Sequence, residues 1–234
     1  MRINKLLSNY GYCSRKETNR LIEEGRIKVN GIICVKGQWV EESDEILLDG
    51  KKVTPKEKIY LAFNKPRGIV CTAANDKVNN IINYLSYPEY IFPVGRLDKD
   101  SEGLIIMTND GELANKILFS DNYHEKEYIV RVDKEINEEF LLRMSREVKI
   151  LDTTTRPCIV EKIDKNIFKI ILTQGLNRQI RRMCKALGYK VLELKRIRIL
   201  NIKLDGIETG KYIKIPEEEI NNLIILISKK VDKL

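Results

Sequence analysis

Residues 95–104 read Gly-Arg-Leu-Asp-Lys-Asp-Ser-Glu-Gly-Leu and place three acids and two bases, Asp98, Asp100, Glu102, Arg96 and Lys99, within seven positions. A carboxylate held in such a loop can act as a nucleophile or a base. Residues 90–94 read as a short buried strand before the loop. Residues 104–108 read as another after it, closed by the turn signal Asn109-Asp110-Gly111. Gly95 and Gly103 let the backbone bend at both ends. The competing reading is a solvated turn whose charges only keep it wet.

Three other segments carry groups of the right kind. Residues 174–189 predict a strand end, a glycine turn and a helix from near Asn177, with Ile180, Cys184 and Leu187 on one face and Arg178, Arg182 and Lys185 beside it. Arg181, next to the apolar Ile180, can turn inward. Between Arg178 and Arg198 there are eight bases and one acid, Glu193, an imbalance that favours phosphate contact over a merely solvated face. Alternation in residues 126–132 puts Tyr128, Val130 and Val132 on one sheet face, so Tyr128 points to the core or a cleft. In residues 64–68, Asn-Lys-Pro-Arg-Gly, a strand ends in a basic proline turn.

What is missing narrows the chemistry. A single histidine, His124, leaves little room for a histidine-based metal site or a serine-histidine-acid triad. Neither a Gly-x-x-x-x-Gly-Lys-Ser/Thr loop nor a Gly-x-Gly-x-x-Gly fingerprint occurs. Chemistry without metal or cofactor is expected, carried by carboxylate, tyrosine, lysine and arginine.

The elements that must position these groups fall into two parts. The 234 residues have room for a small and a medium domain, with a boundary in the polar, proline-containing residues 51–58. We expect one domain over 1–55 and a second over 59–234. In the first, Ile3, Leu6 and Leu7 recur at helical spacing. Ser14 and Glu17 form a capping box for a second helix that Gly25 stops, and Asn30-Gly31 makes a tight hairpin turn. Arg2, Lys5, Arg15, Lys16, Arg20, Arg26 and Lys28 all precede that turn, whereas Glu41, Glu42, Asp44, Glu45 and Asp49 follow it, so positive potential should collect on the helix pair. In the second part, strands are expected at 59–63, 127–132 and 167–173 and on both sides of Asp98. Helices are expected at 78–84, 112–118, 137–144 and 178–187, and a last one from Pro216 to Lys229-Lys230, packed on the outside. The pattern predicts an α+β fold with a mixed, mostly antiparallel sheet.

A net charge of +8 makes an anionic partner, above all nucleic acid, plausible. Five cysteines without a Cys-x-x-Cys pair fit a reduced, cytoplasmic setting. No signal peptide or transmembrane segment is expected. With no long apolar seam, a monomer is expected.

Residues 2–50 resemble the alpha-L RNA-binding module, first described in a small-subunit ribosomal protein. The match is carried by Arg2-x-x-Lys5-Leu6-Leu7, Ser14-Arg15 and residues 26–31, Arg-Ile-Lys-Val-Asn-Gly. The resemblance makes Arg2, Lys5, Arg15, Lys16 and Arg20 its RNA-binding residues. Residues 1 to about 220 resemble the RsuA/RluB/RluE/RluF family of ribosomal RNA pseudouridine synthases, most nearly its RluF branch, through four ordered motifs: Asn64-Lys65-Pro66-x-Gly68, residues 95–104, residues 124–128 and residues 174–183. That resemblance implies a catalytic domain with a central cleft, no cofactor, and a uridine in a stem-loop of 23S (large-subunit) ribosomal RNA as substrate, with a transfer RNA stem-loop as an alternative target. It implies that Asp98 is the catalytic aspartate, that Tyr128 stacks on the uracil and that Arg181 pairs with Asp98. Arg96 would help to hold the RNA with its base flipped out, and Asn64, Lys65, Lys126, Arg178 and Arg182 would bind substrate. Composition alone fits a non-catalytic RNA-binding assembly factor equally well.

Overall fold

The computed structural model describes residues 1–72, 79–119 and 123–228. Helices α1 (Ile3–Asn9) and α2 (Arg15–Glu23) pack on a sheet of β1 (Ile27–Val29), β2 (Ile32–Ile33), β3 (Ile46–Leu48) and β4 (Lys51–Lys52), in the order β2-β1-β3-β4. Ser14 Oγ accepts the Glu17 amide at 3.1 Å, as a capping residue should. Asn30 and Gly31 both have positive φ, the conformation of a two-residue hairpin turn. Ile3, Leu6, Leu7, Leu21, Ile22 and Ile27 form this module's core. Lys51 and Lys52, expected in a linker, pair instead with Leu48 and Leu47, and the irregular connection is confined to the residues between β4 and the next strand.

The larger part follows as β5 (Tyr60–Lys65), α3 (Ile81–Leu85), β6 (Phe92–Val94), β7 (Glu102–Thr108), α4 (Gly111–Leu118), β8 (Lys126–Val132), α5 (Glu138–Ser145), β9 (Lys149–Ile150), β10 (Thr153–Thr154), β11 (Ile159–Asp164), β12 (Ile167–Leu172), α6 (Gln179–Ala186), β13 (Val191–Ile199), β14 (Ile202–Lys203), β15 (Tyr212–Lys214) and α7 (Glu217–Ser228). Among the described residues nine strands form one mixed sheet, with the path β11-β12-β8-β13-β7-β5-β15 and with β14 and β6 attached to β13 and β7. All pairings are antiparallel except β13 with β7. The start of the expected helix at Val78 and the end of the last helix at Lys229-Lys230 lie outside the described residues.

Both faces of the sheet centre are covered, which is why β7 is apolar at nearly every position. Ile105 and Met107 join Phe63, Val130, Phe168 and residues of α5 and α6 in one core. Leu104 and Ile106 join Ala62, Ile117 of α4 and Ile220 and Leu223 of α7 in the other, so α7 closes that face. Asn109-Asp110-Gly111, expected as a turn, starts α4: Asp110 Oδ1 accepts the amides of Glu112 and Leu113 at 3.0 and 3.1 Å.

The largest departure is β13. Residues 191–199, whose bases were expected to contact phosphate, run through the sheet between β8 and β7. Arg196 keeps only 3% of its surface and donates from Nε to the Leu104 carbonyl at 2.7 Å. Arg198 pairs with Glu127 at 2.6 Å and with Glu125 at 3.0 Å.

Candidate active site

The loop of residues 95–101 hangs between β6 and β7 and is held at several backbone points. The Leu97 amide donates to Cys71 Sγ at 3.4 Å, the Gly68 amide to the Lys99 carbonyl at 2.8 Å, and the Ser101 amide to the Asp98 carbonyl at 3.0 Å. Gly103, where the loop enters β7, has φ +107° and lies against the Arg196 backbone so closely that a Cβ would overlap its carbonyl oxygen and come within 2.6 Å of its nitrogen. Only glycine allows β7 and β13 to meet there.

This places Asp98 on a cleft of about 530 Å³, whose lining also includes Arg96, Lys126, Tyr128, Arg178 and Arg196. Asp98 Oδ2 is 3.4 Å from Arg178 Nη1 and 3.8 Å from Arg181 Nε. Arg181 is fixed from behind. Its Nη1 donates to the Val191 carbonyl at 3.3 Å, and its Nη2 to the Asp100 carbonyl at 3.1 Å and Ser101 Oγ at 3.3 Å. Its Nε is buried without a hydrogen-bond partner. Burial, and then the neighbouring Arg178 charge, lower the Arg181 pKa, while Asp98 and Asp100 oppose that shift. Arg178 caps α6 with φ 50° and ψ 35°, a left-handed conformation uncommon for arginine.

Tyr128 lies in β8 between Ile170 of β12 and Arg196 of β13, is 9% exposed as a residue, and lines the cleft. Lys126, two residues earlier on the same sheet face, donates to the His124 carbonyl at 3.0 Å. Burial and the Arg196 charge push its pKa down to about 8. His124 is itself buried, with Nδ1 2.9 Å from the Ile117 carbonyl.

The structure thus brings Asp98, Tyr128, Arg96, Lys126 and Arg178 to one cleft, with Arg181 behind Asp98. It does not bring three other expected substrate contacts there. Asn64 is 2% exposed and donates to the Ile207 carbonyl at 2.7 Å. Lys65 is fully buried and donates to the Pro66 and Ile69 carbonyls at 2.8 and 2.9 Å, so Lys65 holds the turn after β5 and Asn64 the segment before β15. Arg182 turns to Asn177 Oδ1 at 2.7 Å, on the outside of α6. Arg196 is the cleft residue that sequence reasoning missed. The apolar positions Val191, Leu194 and Ile199 around it were the available signal for a buried strand.

On the module, Arg2, Lys5, Arg15, Lys16 and Arg20 are all exposed. Arg20 pairs with Glu17 at 2.5 Å and Glu24 at 3.5 Å, and Arg26 pairs with Asp49 at 2.6 Å, so the expected separation of charge is incomplete. Among the described residues no cluster of three or more His, Cys, Asp or Glu is placed to hold a metal ion, and no helix is long and apolar enough to cross a membrane.

Comparison with known proteins decides the family. The RNA pseudouridylate synthase family matches residues 59–186, more than half of the chain. The chain belongs to that family. In this synthase, residues 1–46 match the S4 domain, the module of the helix pair and hairpin. The synthase is 46% identical over 230 residues to the dual-specificity RNA pseudouridine synthase RluF of Escherichia coli strain K12, covering 97% of this chain and 79% of that one. It is 33% identical over 231 residues to ribosomal large subunit pseudouridine synthase B of Bacillus subtilis strain 168, covering 95% of each. A solved pseudouridylate synthase structure matches at a TM-score of 0.71 and 28% identity, covering 95% of this synthase and 99% of the other.

Proposed function

We propose that this synthase isomerises a uridine in a stem-loop of large-subunit ribosomal RNA, acting in the cytoplasm as a monomer, with Asp98 as the catalytic carboxylate. One observation carries the assignment: Asp98 is the carboxylate that a pinned loop presents to the cleft, within 4 Å of two guanidinium groups and on the cleft that Tyr128 also lines. The fit to the reaction is chemical. The bond from ribose C1′ to uracil N1 breaks, the base turns, and C1′ joins C5, while a proton leaves C5 and another arrives at N1. Asp98 either adds to C1′ and gives a covalent intermediate, or removes a ribose proton and gives a glycal; in both cases uracil departs with its bonding electrons. The positive charge of Arg178, which lines the cleft, then faces both the carboxylate and the departing base, while Arg181 supports the carboxylate from behind.

A cleft of this kind accepts a base only outside its stack, so the target uridine is flipped. Tyr128 offers it a ring, worth about 1 to 3 kcal/mol of stacking, against a flipping cost of a few kcal/mol. Arg96, exposed at the rim, and the S4 module hold the flanking phosphates. We further propose the domain division at residues 1–55 and 59–234, which the matched segments 1–46 and 59–186 support. The dual-specificity name of the E. coli relative favours a second RNA substrate, for which a transfer RNA stem-loop is the proposal.

The test is Asp98→Asn. Pseudouridine formation on ribosomal RNA fragments should fall by more than about 10³-fold while RNA affinity stays within about threefold. A variant that still isomerises uridine, or wild-type protein that forms no pseudouridine on any such fragment, defeats the proposal.

A further inference from the structure

The sole tryptophan of the chain, Trp39, is 72% exposed. Its position is dictated by backbone pairing. Ile3 donates to the Gln38 carbonyl at 2.9 Å and Val40 to the Met1 carbonyl at 2.8 Å, which sets Arg2 opposite Trp39 in an antiparallel bridge. The pleat then buries Ile3 and Val40 at 0% and 2% exposure and turns Arg2 and Trp39 outward on the same side. A large aromatic ring is normally among the more buried side chains, and this one is mostly open: among the described residues no other ring and no cation stacks on it.

The ring borders a second hollow of about 350 Å³, lined by Met1, Arg2, Asn4, Lys5, Arg15 and Trp39. The three cations of that hollow differ from the paired arginines and lysine of the module and, among the described residues, share their lack of a carboxylate partner with Lys16 and Lys28. Arg20, Arg26 and Lys36 each hold a carboxylate of the module, whereas among the described residues Arg2, Lys5 and Arg15 form no ion pair. No acidic side chain lines the hollow. It combines a free π-face with three uncompensated positive charges, the pairing that serves single-stranded nucleic acid, where a base lies on the ring and its phosphates on the cations. An acidic peptide without an aromatic side chain would leave the ring unused.

We propose that Trp39, Arg2, Lys5 and Arg15 form a subsite for an unpaired RNA base and its flanking phosphates, separate from the target uridine. The subsite rests on the reading that this chain binds RNA. It gives the S4 module a preference for substrates with an unpaired nucleotide beside the stem.

Because Trp39 is the only tryptophan, emission excited at the red edge of the indole band, where the ten tyrosines do not absorb, reports this ring alone. Single-stranded oligoadenylate should quench it to saturation, and a blunt RNA hairpin without unpaired ends should quench it far less. Trp39→Ala should weaken oligoadenylate binding about 10-fold, and Trp39→Phe should keep most of the affinity. Arg15→Gln should make the logarithmic salt dependence shallower by about 0.7. Emission unchanged at RNA saturation, or Trp39→Ala binding as tightly as wild type, overturns the subsite. So does a blue shift that grows with protein concentration without RNA, which would mark the face as a contact between copies of the chain. Pseudouridine formation by the wild-type chain, measured on the ribosomal fragments in parallel, separates the two readings: its failure beside normal quenching removes the proposed reaction and leaves the subsite.

Discussion

At the cleft, Arg181 leaves 13% of its side chain exposed and directs its donors to the carbonyls of Val191 and Asp100; on the S4 module, Arg20 leaves 60% exposed and pairs with Glu17 and Glu24 of its own helix. Both are arginines beside carboxylates. The first is fixed by strands and loops distant in sequence before any substrate arrives, so little side-chain freedom remains to be lost in the reaction. The second is a local helix-surface pair, free to exchange its partner for a phosphate. Preorganised charge suits chemistry at one carbon atom, whereas exposed charge suits adjustable, salt-sensitive affinity.

Glycine substitution gives the largest test of that contrast. Gly103→Ala must displace the Arg196 backbone or force a new φ, and should destabilise the chain by about 3 kcal/mol. Gly31→Ala in the module hairpin, at φ +78° with nothing within 4 Å of the added methyl, should cost about 1 kcal/mol through backbone strain. Urea midpoints compare the two. Equal losses would mean that the β7 to β13 junction yields as readily as an open turn, and that the cleft is not rigidly built.

The arginines themselves come next. Arg181→Gln should lower kcat for pseudouridine formation by about 100-fold with a smaller change in KM, because the lost group acts on a charge at the reacting centre and not on the ends of the RNA. Arg20→Gln should leave kcat unchanged and shift the urea midpoint too little to measure, since its pairs are exposed. If Arg181→Gln raised KM alone, the cleft arginine would belong with the module's, as a binding charge.

The same contrast explains what could be read from the sequence. Local signals were legible: the Ser14 cap, the Asn30-Gly31 turn and the alternation that turns Tyr128, Val130 and Val132 to one face all appear where spacing puts them. Arg196 and Arg198 were misread because their clustered charge suggested phosphate contact. Their strand is buried by neighbours far earlier in the chain, with Leu104, 92 residues before, accepting from Arg196 and Glu127, 71 residues before, accepting from Arg198. No local pattern states which carbonyl or carboxylate awaits a given guanidinium. Asn64 and Lys65 were placed wrongly at the cleft for the same reason, since the Asn64 amide nitrogen and the Lys65 ammonium donate in the interior to Ile207 and to Pro66 and Ile69. The Arg178 and Arg181 pairs to Asp98 join segments 80 residues apart. Of these, the resemblance supplied the Arg181 pair, and the geometry added Arg178.

Lys126 offers the finest test, because it is a cleft cation whose charge depends on pH in an accessible range. Its pKa falls from 10.5 to about 8 on folding, through burial first and the Arg196 charge second. Between these values the unfolded chain carries a proton that the folded chain has released, so stability rises as pH climbs from about 8 toward 10.5 and gains nothing from this group below 8. The gain should be about 1 to 3 kcal/mol and should vanish in Lys126→Met. RNA affinity should move the other way, falling by a few-fold as the cleft loses a positive charge above pH 8, and Lys126→Arg should remove that fall because a guanidinium stays charged. Urea midpoints and binding curves across this range read both effects. Stability and affinity that shift in the same direction would show that Lys126 does not face the RNA, and would leave Arg96 and Arg178 as the cleft's substrate-facing cations.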